Sequence, residues 1–242
     1  MKKNLCCLLV LCISILLGGC GNNNKPVTLK NKLVNIGSYQ GEDIVWRVLD
    51  DDGNKILLIS DKALDVRQFF GKGTWWLNSS LRAWLSDNFY YAVLPSTVRK
   101  YVIPVKKEWE SVSYTYENFQ YTPWSSPRKE LVEHRNKECY YDKIFLLDKR
   151  EIEKYFDSKE LRVCLPTKFS QDKSAWVDKN KKSIKYWLRS EYSNISSFVH
   201  TDGSIVEEDN NYEKKDTNAY GVRPAIWVKS TKVLDLIKQQ RK

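Results

Sequence analysis

Tyr186-Trp187-Leu188-Arg189-Ser190, then Phe198-Val199-His200-Thr201-Asp202-Gly203-Ser204-Ile205-Val206, then Gly221-Val222-Arg223-Pro224-Ala225-Ile226-Trp227-Val228 stand near the end of a chain of 242 residues. Each piece is a short apolar run with an arginine or a turn beside it, and Asp202-Gly203 is a hairpin signal between β-rich segments. Together they predict a small antiparallel sheet that closes a domain.

Upstream, residues 33–39, 43–49 and 55–60 are apolar stretches separated by Gln40-Gly41-Glu42 and by Asp50-Asp51-Asp52-Gly53-Asn54, which predicts a three-stranded meander. The period of two puts Ile44, Trp46 and Val48 on one face of the middle strand and Val45, Arg47 and Leu49 on the other. Trp46 is expected in the core and Arg47 in an ion pair. From 78 to 94 the period turns helical. Leu81, Trp84, Leu85 and Phe89 form one stripe, and Asn78 or Ser79 can cap the first turn of a helix lying across the meander. Pro95-Ser96 opens a shorter helical turn through Tyr101, which Pro104 stops. Residues 142–147 read as a strand, Asp148-Lys149-Arg150-Glu151 as the capping-box start of a helix over 149–156, and 161–165 as another strand. The chain ends at 231–242 in a basic tail expected to fray. These elements give an α+β class: an antiparallel meander and a small C-terminal sheet with two main helices, in one domain over 33–230.

Between 105 and 138 the regular signal thins. Trp109, Tyr114, Tyr116, Phe119, Tyr121 and Trp124 are spread among polar residues and two prolines, Pro123 and Pro127. Val112, Tyr114 and Tyr116 alternate as in an edge strand, but most of the stretch reads as an excursion from the core. Loops longer than ~12 to 15 residues are functional or disordered in most folds, and such aromatic content argues against disorder. Its aromatics either pack the excursion down or line a ligand surface.

The first residues bear on compartment. Lys2 and Lys3 precede an apolar run over 5–17 broken only by Ser14, shorter than the ~20 residues of a comfortable span and of the length of a signal-peptide core. The following Leu17-Gly18-Gly19-Cys20 resembles the lipobox of bacterial lipoproteins, in which the cysteine is diacylated on sulfur and becomes the N-terminus after cleavage. The resemblance implies a signal helix over 1–19, a lipidated Cys20, and a tether over 20–32. Two acyl chains hold a protein stably on a bilayer. Of the six cysteines only Cys139 and Cys164 then remain in the folded part. Outside the cytoplasm they can bridge, contributing roughly 3 kcal/mol by loop closure, or stay as two separate thiols. His134 and His200 lack the ligand spacing of a metal site, and no cofactor motif is present. Loss of Lys2 and Lys3 lowers the formal net charge from +10 to +8, which suits an anionic neighbourhood such as wall polymer or phospholipid headgroups. Nucleic acid is a poor partner for an exported chain.

Four arginines, Arg47, Arg82, Arg189 and Arg223, sit inside apolar motifs, where an unpaired guanidinium is costly. One reading is an internal network with Asp50, Asp142, Asp148 or Glu151. The other is that Arg189 and Arg223 converge on an anionic ligand, which the planar guanidinium fork suits. Trp46, Trp84, Trp187 and Trp227 occupy patterned positions and are expected in the core; Trp75, Trp76, Trp109 and Trp124 are less patterned and are candidates for stacking on sugars. No nucleophile elbow or phosphate-cradling glycine loop is present.

The motifs Trp46-Arg47-Val48-Leu49, Leu57-Leu58-Ile59-Ser60, Leu81-Arg82-Ala83-Trp84-Leu85, Asp142-Lys143-Ile144-Phe145-Leu146-Leu147, Trp187-Leu188-Arg189-Ser190 and Gly221-Val222-Arg223-Pro224-Ala225-Ile226-Trp227 occur in one order that resembles a domain of unknown function common in exported and surface proteins of Gram-positive bacteria. Arg162-Val163-Cys164-Leu165-Pro166-Thr167, with Trp176 and the terminal Gly-Val-Arg-Pro, is similar to signposts of formylglycine-generating-enzyme-like and C-type-lectin-like domains. That similarity implies a compact α+β fold but not its usual chemistry, since the copper cysteines and calcium motifs are missing. The expectation is a lipid-anchored, non-catalytic binding or interaction module on the extracytoplasmic face of the membrane. Its ligand would be wall polymer, carbohydrate or a surface protein, met through Trp109, Tyr114, Tyr116, Trp124, Arg189 and Arg223. The alternatives are an oxidase or carboxylate-based hydrolase, and a purely structural surface protein.

Overall fold

A computed structural model of the chain describes residues 29–69, 76–119, 128–174, 177–178, 180, 182–189, 195–209 and 218–240. The fold is α+β, with curled, mainly antiparallel sheets, in which β11 and β8 alone among the named strands pair in parallel, and several short helices. In chain order come β1 (Leu33–Tyr39), β2 (Glu42–Asp51), β3 (Lys55–Ser60), β4 (Asp65–Gln68), α1 (Ser80–Trp84), α2 (Tyr90–Val93), α3 (Ser96–Arg99), β5 (Val102–Ile103), β6 (Val105–Phe119) and β7 (Arg128–Asp142). Then follow α4 (Lys149–Tyr155), α5 (Lys159–Arg162), α6 (Lys168–Lys173), β8 (Tyr186–Trp187), β9 (Ile195–Val199), β10 (Ile205–Asp209), β11 (Ala219–Val222), β12 (Ala225–Lys229) and α7 (Ser230–Gln239). One sheet runs β1-β2-β3-β12-β5, a second β10-β9-β8-β11-β4, and β6 with β7 forms a separate ribbon.

The meander forms as its turn chemistry dictates. Gln40 and Gly41 both take positive φ, 51° and 82°, which joins β1 to β2 without splaying the strands. The ladder breaks between Asn35 and Ser38, where Gly37 has φ 71°. A Cβ there would run into the Val93 carbonyl, so this glycine also lets α2 approach β1. Trp46 is wholly buried and donates from Nε1 to the Ile36 carbonyl at 2.9 Å.

The helical stripe folds as expected, with Leu81, Leu85 and Phe89 buried and Ser79 Oγ accepting from the Arg82 amide at 3.1 Å. A wider π-type turn over Leu85–Phe89 separates α1 from α2. Trp84 is only partly buried, and the Arg67 guanidinium covers it at 3.7 Å from the ring centroid. Trp227 is likewise partly buried, beneath Lys55.

The final apolar runs do not make one sheet. β11 lies between β8 and β4 in the second sheet, while β12 lies between β3 and β5 in the first. Arg223-Pro224 is the crossover, where proline has no N–H to continue a ladder. The backbone is taken up on both sides, since the Leu64 amide donates to the Val222 carbonyl and the Ser60 amide to the Pro224 carbonyl, each at 2.9 Å. The hairpin at Asp202-Gly203 is present, pairing β9 with β10, and Gly203 has φ 86°. A side-chain latch also joins the two sheets. Buried Asp65 on β4 accepts from Tyr39 Oη of β1 at 2.7 Å and from Lys173 Nζ at 2.6 Å.

Several expectations are corrected. Residues 143–147 form no strand: Phe145 alone bridges Ala225, and the apolar run is buried because it threads the core. The strand expected over 161–165 does not form: Lys159–Arg162 is helix α5, which lies under the Gly203 hairpin, and 163–165 are outside any strand. The C-terminal segment is not frayed. It forms α7, burying Val233 and Ile237, and Gln240 exchanges hydrogen bonds with the Asn35 backbone at 2.7 and 3.1 Å. Packing begins before residue 33, because Leu29 is buried and the Asn31 amide donates to the Val48 carbonyl.

Candidate functional site

The aromatic excursion is a ribbon. β6 and β7 pair without a register break from Val105 opposite Asp142 to Phe119 opposite Arg128, 15 residues on each strand. At ~3.4 Å per residue it extends about 50 Å. No other strand pairs with either edge among the described residues. Both edges therefore present backbone donors and acceptors to whatever lies beside them. The alternation at Val112, Tyr114 and Tyr116 marked only its middle; the rest is too charged to read as strand from pattern alone.

A two-stranded ribbon is marginal on its own, so its root must be held. Two charged clusters hold it. At the end of β7, Asp142 is 1% exposed and accepts from Trp76 Nε1 at 2.7 Å and from Arg82 Nε at 2.8 Å. The Arg82 guanidinium also lies over the Tyr140 ring at 4.9 Å. Near the start of β6, Lys107 Nζ reaches Glu151 at 3.2 Å and Asp148 at 3.8 Å. Both carboxylates are placed by the capping box of α4: Asp148 Oδ1 accepts from the Glu151 amide at 2.8 Å, and Glu151 Oε2 accepts from the Asp148 amide at 3.0 Å.

Arg189 belongs to the second cluster. It is 2% exposed and donates from Nη2 to Asp148 at 2.6 Å and to Glu151 at 3.1 Å, and from Nη1 to the Leu146 carbonyl at 3.2 Å. Burial opposes its charge, and the Glu151 and Asp148 carboxylates outweigh that opposition, holding it protonated. Among the described residues Arg189 and Arg223 share no hydrogen-bond partner. Arg223, 3% exposed, donates from Nε to the Ser60 carbonyl at 3.0 Å and from Nη1 to Tyr186 Oη at 3.3 Å. Arg47 pairs with Asp61, Nη2 to Oδ1 at 2.5 Å. Of the acidic partners expected from the sequence, Asp142, Asp148 and Glu151 meet these arginines, whereas Asp50 meets Lys154 at 3.5 Å and the Tyr155 hydroxyl at 3.1 Å instead. Asp61 and Lys107 were not expected, because no pattern distinguishes them from other charged residues.

Trp109, Tyr114 and Tyr116 lie along β6, opposite Glu138, Glu133 and Leu131. Trp76, grouped with the less patterned tryptophans, is buried through its bond to Asp142. Cys20, Trp75, Trp124 and Trp176, the signal helix over 1–19 and the start of the tether lie outside the described residues. Cys139 and Cys164 are not bridged: Cys139 is exposed on β7, whereas Cys164 is buried in the core. Burial pushes the Cys164 thiol up, partly offset by the Arg223 charge. Among the described residues no cluster of metal-ligating side chains occurs, and no helix is long and apolar enough to cross a membrane.

A domain of unknown function, DUF6273, matches residues 53–230. The chain belongs to this family. The DUF6273 region opens at the turn before β3 and closes at the first residue of α7, so it takes in the ribbon, both root clusters and the crossover. β1 and β2, which precede it, complete the first sheet. No curated protein and no solved structure matches the chain.

Proposed function

We propose that the protein is a lipid-anchored, non-catalytic interaction module, C-type-lectin-like in fold, held through Cys20 on the extracytoplasmic face of the membrane and reaching a partner with the β6–β7 ribbon. The observation that carries this reading is the ribbon itself: two strands paired over their full length, with neither edge paired to another strand among the described residues. Unpaired strand edges favour a polypeptide over a sugar polymer, because a second backbone can add to the ladder while side-chain positions set specificity. The two root clusters support the same reading, since they fix the ribbon's origin to α1 and α4.

The reading separates into two tests. Replacing Cys20 by Ala in the full chain is expected to abolish incorporation of labelled palmitate and to release the protein from the membrane fraction; unchanged labelling rules out the anchor. The soluble protein from residue 21 onward is then exposed to surface proteins of the cell that makes it, to wall polymer and to glycans. Capture of a protein that is lost when residues 113–134 are replaced by a tight turn supports the ribbon as the contact. Binding to glycan or wall polymer alone, or binding indifferent to the shortened ribbon, overturns it.

A further inference from the structure

Away from the ribbon, a cleft of about 420 Å³ opens beside the crossover between the two sheets. Arg223 lines it, with Arg47, Asp61, Phe156, Glu160 and Leu165. The volume suits a small organic molecule. Its lining carries three basic residues, Lys30, Arg47 and Arg223, and three acidic ones, Asp61, Asp157 and Glu160, but they are not equally paired. Arg47 and Asp61 satisfy each other, with Nε and Nη2 both on Asp61 Oδ1 at 2.9 and 2.5 Å. Arg223 has only neutral acceptors among the described residues, the Ser60 carbonyl and the Tyr186 hydroxyl, and Nη2 has none. A guanidinium that is 3% exposed, beside a cavity, with only the more distant Asp61 charge acting on it and no carboxylate in hydrogen-bond reach among the described residues, is an expensive arrangement that an anion would complete.

Its surroundings keep it positioned and charged. The guanidinium carbon lies 5.2 Å from the Phe156 ring centroid and 5.3 Å from that of Tyr186, a setting that stiffens the planar fork. Tyr186 spends its own proton on the Arg162 carbonyl at 2.9 Å, so its oxygen is free to accept from Arg223. Burial pushes this hydroxyl up to about 12, which keeps it from becoming an internal counter-ion.

We propose that this cleft binds a small monocarboxylate with an apolar body, the carboxylate held by Arg223 Nη2 and the body lying along Phe156 and Leu165. A single uncommitted guanidinium matches a single negative charge. Lys30 at the lining would attract either anion, but a doubly charged phosphate meets the repulsion of Asp61, Asp157 and Glu160, which also line the cleft, twice as strongly as a single charge does. The proposal goes beyond the ribbon's role and stands or falls separately from it.

Isothermal titration of the soluble protein with acetate, butyrate, benzoate and phenylacetate, alongside benzamide and inorganic phosphate, tests it. Affinity is expected to rise with apolar size, with benzamide and phosphate each roughly tenfold or more weaker than benzoate. Because Arg223→Gln can compromise folding, the discriminating variant is Leu165→Trp. Leu165 is 48% exposed, so the larger ring is tolerated by the fold and intrudes on the cleft. It is expected to weaken benzoate binding by roughly tenfold while leaving the melting temperature in place. Arg223→Lys, which keeps the charge and loses the fork, is expected to weaken it as well. The proposal is overturned if no carboxylate binds, if phosphate binds more tightly than benzoate, or if L165W binds as wild type does.

Discussion

Arg189 and Arg223 look alike in the sequence, each an arginine at the end of an apolar run, and differ in what they neutralise. Arg189 answers Asp148 and Glu151, so Arg189→Met is expected to destabilise the fold by about 3 kcal/mol in urea denaturation, because two carboxylates lose their buried counter-ion. The Lys107 contacts, at 3.2 and 3.8 Å, limit the loss. Gly203 is a second residue whose identity is forced. Its φ of 86° and the Lys159 carbonyl pressed against the place of a Cβ leave no room for a side chain, so Gly203→Ala is expected to cost about 2 kcal/mol or more by the same measurement. Titration supplies a third expectation. Burial and then the bond to Asp65 raise Tyr39 to about 12, and burial raises Tyr186 to about 12. Both folded values exceed the ordinary ~10. The native state therefore favours the protonated hydroxyls, and their stabilisation is complete below pH ~10 and lost as pH rises through about 12. Burial also raises Tyr90 and Tyr155, so absorbance titration should show a late-titrating group of tyrosines that loses one member in Tyr39→Phe.

At the level of elements, the ribbon depends on a few anchors at its base. Asp142→Leu removes the acceptor of both Trp76 and Arg82, and is expected to cost about 3 kcal/mol and to speed amide exchange in β6 and β7 before the rest of the fold. Uniform exchange across all strands would show that the root does not act as a separate hinge. Legibility in the sequence followed the same boundary between local and distant causes. The meander, the Ser79-capped helix, the α4 capping box and the Asp202-Gly203 hairpin each rest on chemistry within a few neighbouring residues, and each was readable. β6 and β7 were not readable in full, because their pairing is with each other and most of their positions are polar. Residues 143–147 misled for the opposite reason: a fully apolar run cannot tell a strand from an irregular segment crossing the core.

For the molecule as a whole, Cys139 and Cys164 report on integrity. In protein starting at residue 21, Cys139 is expected to react with a thiol reagent at once and Cys164 only at the rate of unfolding, since the first is exposed and the second buried with its thiol pushed up. Two fast thiols would show that the packing around Cys164 opens in the native state. The candidate sites divided likewise. The arginines were visible as anomalies in apolar runs, but their partners were not, because Asp61 and Lys107 are distant in sequence and ordinary in context. The cleft beside Arg223 was invisible for a different reason, being formed where residues 30–31, 47, 61, 155–165 and 223 meet.

The crossover at Arg223-Pro224 also sets an order in time. β11 completes the second sheet between β8 and β4, and β12 completes the first between β3 and β5. A chain emerging from its N-terminus thus holds β1 to β3 with an open edge until its last strands arrive, and contacts so distant in sequence close slowly. The molecule is zipped shut from its far end, and stopping synthesis a few residues before Arg223 would leave both sheets unfinished at once.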